Sequence, residues 1–196
     1  MAATWKAPST QTTPAAAFSE LRAARDPAPV PGETRTQAIA DPGQRHFHAR
    51  IRLMRLQDGV WSDLGNTLPP AVSPGHAEWA GSCLLHDDGS TVTLFFTAAG
   101  SAARAGGYEQ ELWAASALAG TGSLPTGWSQ PVPLVRGYAP HYMPADAHEG
   151  EAGKIKAFRD PAYFRDPADG SEYLAFTASL AGSPSAFNLP WHRQLI

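Results

Sequence analysis

Two short stretches place a carboxylate beside a group that can recognise a sugar or another carboxylate. Glu78-Trp79-Ala80-Gly81-Ser82 sets an acid next to an indole, and Phe158-Arg159-Asp160-Pro161 sets an acid next to a guanidinium. If the fold brings both stretches to one axis, Glu78 and Asp160 line a common carboxylate pocket. Glycoside chemistry needs such a pocket: one carboxyl attacks or stabilises, and another donates a proton. Trp79 offers an apolar face for a sugar ring, and Arg159 can bind hydroxyls or hold a carboxylate ionised. Singly the motifs say little. A Glu-Trp pair at a strand start is most often a surface acid beside a core aromatic, and Arg165-Asp166-Pro167 repeats the Arg-Asp-Pro triplet only six residues on.

Other chemistries find less support. His46 and His48 share a face at strand spacing and could join His141 or His148 around a metal. No carboxylate or third histidine stands at a persuasive spacing, so no metal site is expected. Ala105-Gly106-Gly107 lacks the strand-to-helix context and the lysine of a phosphate loop. Ser82 and Cys83 have no recognisable base partner for acyl transfer. Cys83 is the single cysteine, which excludes an intramolecular disulfide and a cysteine-based zinc site. No cofactor is expected. Lys plus Arg number 15 against 18 Asp plus Glu, a net charge of -3 without a basic patch, so nucleic acid is not an expected partner. The longest apolar runs, such as Leu94-Phe95-Phe96, fall far short of the ~20 residues of a membrane helix. Met1 to Phe18 lacks the basic head and apolar block of a secretory signal.

The elements that must position these residues read as strands. Gly and Pro each number 18 in 196 residues, a turn-rich composition that argues against helical bundles. Residues 1–44 are rich in Ala, Pro and Thr and read as mostly irregular, with Ala15 to Arg25 allowing one short helix. From His46 short strand-like runs alternate with turn signals. Strands are predicted near 47–56, 82–86, 91–98, 112–118, 161–165 and 172–178. Asp58-Gly59 marks a hairpin, after which Val60-Trp61 restarts extended chain. Trp61, Trp113 and Trp128 read as packing residues. Two hairpins resemble each other: Phe96-Thr97-Ala98 and Phe176-Thr177-Ala178 lie 80 residues apart, and the Asp-Gly-Ser triplets at 88–90 and 169–171 lie 81 apart. A one-residue gap would align them. Shared turn chemistry explains this blandly. A repeated propeller blade explains it more sharply and requires a long loop between Leu118 and Lys156.

Glu78-Trp79-Ala80-Gly81-Ser82 resembles the Glu-Trp-Ser-Gly-Ser motif of glycoside hydrolase family 68, the levansucrases, inulosucrases and related β-fructofuranosidases. Lys156-Ala157-Phe158-Arg159-Asp160-Pro161 is similar to that family's Arg-Asp-Pro motif, and Arg45-His46-Phe47-His48-Ala49-Arg50-Ile51 to the strand ahead of its Glu-Trp motif. The resemblance covers about residues 45–188 and leaves 189–196 as a tail that does not match. It implies an all-β fold, a partial five-bladed β-propeller of about two blades, and a retaining mechanism on sucrose. In that mechanism fructosyl passes to an aspartate nucleophile and then to fructan or water. Asp160 would be the transition-state stabiliser, Arg159 a sugar contact, and Trp79 a pocket wall. Ala80 stands where the family carries a serine that orients the nucleophile, and Glu78 is a further substrate-side candidate. Nothing in the first 44 residues matches the family's Trp-Asp nucleophile motif, and its acid/base glutamate belongs to a later blade. The chain is therefore expected to be an inactive, monomeric fragment of a sucrose- or fructan-binding enzyme, extracellular by resemblance. The rival from another class is a non-catalytic sugar-binding or structural β-module.

Overall fold

Asp58 and Gly59 have successive positive φ angles of 51° and 76°, the backbone of a two-residue type I′ hairpin whose twist suits the flanking strands. They join β2 (Arg50–Gln57) to β3 (Val60–Asn66), and β1 (Arg22–Ala24) pairs with the other edge of β2. These coordinates are a computed structural model, which describes residues 22–24, 44–102, 107–120, 123–135, 140–145, 156–181 and 193–195. Among the described residues ten strands form three antiparallel sheets. The second sheet runs β4 (Ala77–Leu85), β5 (Thr91–Ala99), β6 (Gln110–Leu118) and β7 (Val132–Pro133) in chain order. The third pairs β8 (Phe158–Arg165) with β9 (Glu172–Ser179) and β9 with β10 (Arg193–Leu195).

β5 shows why this sequence makes sheet. Thr91-Val92-Thr93-Leu94-Phe95-Phe96-Thr97 is β-branched and aromatic, and most of it is buried on both faces between β4 and β6. Two apolar clusters flank the second sheet. Ile51, Leu68, Leu94, Phe96, Ala98 and Ala115 join it to the first, with Trp113 and Trp128 packed alongside. Leu112, Ala145, Phe158 and Ala178 join it to the third, with Tyr142 and Phe176 set edge-on to one another.

The all-β architecture matches the expectation, with instructive differences in detail. β4 and β8 begin earlier than predicted, so the Glu-Trp and Arg-Asp motifs lie inside strands rather than ahead of them. The expected strand start at Phe47 is a 3-10 turn, Gln44–His48, and His46 and His48 consequently do not share a face. Arg22–Ala24, within the stretch that allowed a helix, is strand; Ala15 to Leu21 lie outside the described residues. Trp61, expected as a packing residue, is 45% exposed on the edge strand β3.

The two related hairpins need no gap. Trp79 pairs with Thr97 and Arg159 with Thr177; Leu85 pairs with Val92 and Arg165 with Glu172. A constant offset of 80 therefore runs through both strands of each hairpin. The turns are closed by equivalent bonds, His86 N to Thr91 O and Asp166 N to Ser171 O. The Asp-Gly dipeptide merely sits one position later inside the second turn.

Phe158 is fully buried between the second and third sheets, in ring contact with Tyr142 and Phe176. Phe158→Ala is expected to cost about 3–5 kcal/mol through lost burial and a residual cavity. The fall in the denaturant midpoint of the purified chain measures it.

Candidate functional site

Both hairpins carry a two-against-one bulge at the same place. Ala80 and Gly81 oppose Phe96 alone, and Asp160 and Pro161 oppose Phe176 alone. A bulge bends its strand and re-aims a side chain, which is why bulges recur beside active sites. Asp160 adopts φ 62°, a left-handed conformation that a non-glycine residue rarely takes. Its carboxylate stands 3.4 Å from Arg159 Nε and is 43% exposed. The Arg159 guanidinium carbon in turn lies 6.0 Å from the centre of the Trp79 ring, a cation–π distance. Trp79, Arg159 and Asp160 thus converge across two sheets, although 81 residues separate the first from the last.

Side chains of the second sheet hold the backbone that presents Asp160. Thr97 Oγ1 accepts the Asp160 amide at 2.9 Å, Ser82 Oγ accepts the Tyr163 amide at 2.8 Å, and Gln110 Oε1 accepts the Phe158 amide at 3.1 Å. Gln110 also donates through Nε2 to Lys156 O at 2.9 Å. Phe95 and Tyr163 stack at 5.4 Å across the same seam. Sequence reasoning passed over Gln110 and Thr97. Nothing in their strands set them apart, since β6 also carries Glu111 and Ser116 and β5 also carries Thr91 and Thr93.

The motif around Glu78 divides its work. Gly81 is required sterically, because a Cβ there would collide with the Phe95 carbonyl oxygen. Trp79 donates from Nε1 to His46 O at 2.9 Å and is only 8% exposed. It is therefore a buried wall behind Arg159, not the open platform for a sugar face that its type suggested. Glu78 lies on the opposite face of β4 and is matched by register to Phe158, whereas Asp160 is matched to Ala80. Its amide donates to Ala49 O at 2.9 Å and its Oε2 accepts the Ile51 amide at 3.3 Å, which ties β4 to the first sheet. Arg50 Nε stands 4.0 Å from Oε1. The cleft that Glu78 lines, about 380 Å³ in volume, is shared with Arg50, Asn66 and His76 and includes none of Trp79, Arg159 and Asp160. The carboxylate pair imagined at one axis is not formed by these two residues.

Burial dominates the Glu78 carboxyl and pushes it from 4.5 to about 7, against opposing pulls from the Ile51 amide and Arg50. Burial also pushes the Cys83 thiol up to about 12, so it stays protonated and unreactive near neutrality. His46, in the 3-10 turn, rests against Trp79, whereas His141 rests against Tyr142 in the stretch between β7 and β8. His148 and the Gly106 stretch lie outside the described residues.

The sequence pattern of glycoside hydrolase family 68, described as Levansucrase/Invertase, matches residues 34–190. The chain belongs to glycoside hydrolase family 68. Among family relatives, a levansucrase from Rahnella aquatilis is 26% identical over 144 residues, covering 73% of this chain and 32% of that protein. An inulosucrase from Halalkalicoccus jeotgali, solved bound to kestose, is 33% identical with a TM-score of 0.61, covering 76% of this chain and 37% of its own. Bacillus subtilis levansucrase in complex with oligosaccharides shares the fold at 21% identity and a TM-score of 0.55, over 68% of this chain and 34% of that one. The chain thus spans about a third of the length of the relatives it matches, as part of the five-bladed propeller of this family.

Between pH 4.5 and about 7 the folded chain keeps a proton on Glu78 that the unfolded chain has released. Stability from this group is therefore greatest below pH 4.5 and falls as pH rises to about 7. Glu78→Gln is expected to raise the unfolding free energy by up to roughly 3 kcal/mol above pH 7, the gain vanishing in acid. Denaturant titrations of both chains across that range check the outcome.

Proposed function

We propose that these residues form the transition-state-stabilising side of a fructosyl-transfer site acting on sucrose. The observation that carries this reading is the presentation of Asp160: a carboxylate on a left-handed bulge residue, half-exposed, with Arg159 at 3.4 Å. Backbone strain of roughly 1–3 kcal/mol persists only where surrounding structure enforces it, and it concentrates at functional sites. In this reading Asp160 accepts hydrogen bonds from fructosyl hydroxyls, which strengthen as positive charge develops on the ring. Arg159 faces that carboxylate and orients it, and Trp79 backs the guanidinium. Family membership supports the choice of sugar. Relatives include an inulosucrase bound to kestose and a levansucrase complexed with sucrose.

Retaining transfer further needs a nucleophilic carboxylate and an acid/base carboxyl ~5–5.5 Å apart. Asp160 cannot attack, stabilise and donate a proton at once. Glu78, which faces the first sheet, is not in this reading the missing partner. The 196-residue chain by itself is therefore expected to bind sugar without cleaving it.

In a titration followed by amide NMR, kestose and sucrose should shift the signals of Arg159 and Asp160. Asp160→Asn should weaken that binding roughly ten- to hundredfold, the value of a hydrogen bond to a charged group. Glucose release from sucrose should stay at the buffer blank. Release that disappears in the Asn variant would overturn the assignment of a stabilising role alone.

A further inference from the structure

One hydroxyl joins the two bulges. Thr97 is fully buried in β5; its Oγ1 donates to Ala80 O at 3.2 Å and accepts the Asp160 amide at 2.9 Å. Ala80 and Asp160 are the register-equivalent bulge residues of neighbouring sheets. Donation to the Ala80 carbonyl directs the hydroxyl hydrogen away, which leaves an oxygen lone pair for the Asp160 N–H. The donated bond also polarises the oxygen as an acceptor.

From this geometry we infer that Thr97 is the positioning residue of Asp160. By fixing the amide on the N-terminal side of a residue held at φ 62°, it sets the direction in which the carboxylate leaves β8. Thr97 has no exposed surface and touches no sugar. Its effect on any ligand passes entirely through the conformation of Asp160. The consequence for sugar rests on the fructosyl-site reading above; the hold on the backbone does not. Ser82 provides an internal comparison, because it binds the Tyr163 amide of the same strand without contacting a bulge carbonyl.

Amide hydrogen exchange, read residue by residue on the 196-residue chain, tests the inference. In the wild type the Asp160 amide should exchange well below the rate of an unstructured peptide. Thr97→Val keeps the branched shape and deletes the hydroxyl. It should speed exchange at Asp160 roughly tenfold, the worth of about one hydrogen bond, with Tyr163 little changed. Thr97→Ser restores the hydroxyl and should return Asp160 close to the wild-type rate. Kestose-induced shifts should follow the same order, weakened in the Val variant and recovered in the Ser variant. An Asp160 amide that exchanges freely in the wild type overturns the inference, even if the Val variant fails to fold. So does a Val variant in which Asp160 exchange is unchanged, or a Ser variant no better than Val. A wild-type chain that shows no response to kestose while the exchange pattern holds would refute the fructosyl site and leave the Thr97 assignment standing.

Discussion

The strand that presents Asp160 is held from the side as well as along its edge. Its ladder to β9 is interrupted at the bulge between Arg159 and Ala162. A buried amide without a partner costs about 1–3 kcal/mol, so any interruption must be met from elsewhere. Thr97, reaching from β5, meets it with a side-chain acceptor for Asp160, while Gln110 of β6 and Ser82 of β4 take the amides of Phe158 and Tyr163 on either side of the bulge. Apolar packing between the sheets, through Leu112, Phe158 and Ala178, supplies attraction but no direction. The hydrogen bonds supply register. A slide of one sheet past the other would break all of them together.

The seam on the other side of the second sheet follows a different rule. There an ionisable side chain, Glu78, takes the Ile51 amide, with Arg50 at the edge of reach. A carboxylate in that position carries a desolvation cost that a hydroxyl does not, visible in its upward shift to about 7. The seam toward Asp160 uses neutral acceptors and is insensitive to proton concentration near neutrality. The seam toward β2 is titratable.

What was legible in the sequence follows from the range of the interactions. The hairpins were visible because Asp-Gly turns and β-branched alternation are local, and the two copies reinforced each other. The convergence of Trp79 with Asp160 could be read because a repeat implies equivalent strands. The matching of individual residues was legible too, but obscured. Paired acids invited Glu78 to be set against Asp160, yet the offset of 80 that the Phe-Thr-Ala triplets carry matches Asp160 to Ala80; the Asp-Gly-Ser triplets, 81 apart because the second turn places them one position later, blurred it. Phe47 and the two histidines beside it alternate like strand but turn as a 3-10 segment, which lets the His46 carbonyl meet the Trp79 indole. Trp79 is a type that often lines sugar sites. Only the packing of Arg159 over it shows that its face is already occupied.

The shared bulge has a further meaning for how such a site arises. With hairpins repeating at a constant offset, a two-against-one bulge falls at the same register twice, carrying Ala80-Gly81 in one copy and Asp160-Pro161 in the other. The extra residue is common to both; the backbone is not, because only Asp160 turns left-handed. A common register fixes where a side chain is re-aimed, and the local backbone fixes how far. Thr97 touches both bulges at once, so the shape of one copy is tied to that of the other through a single hydroxyl.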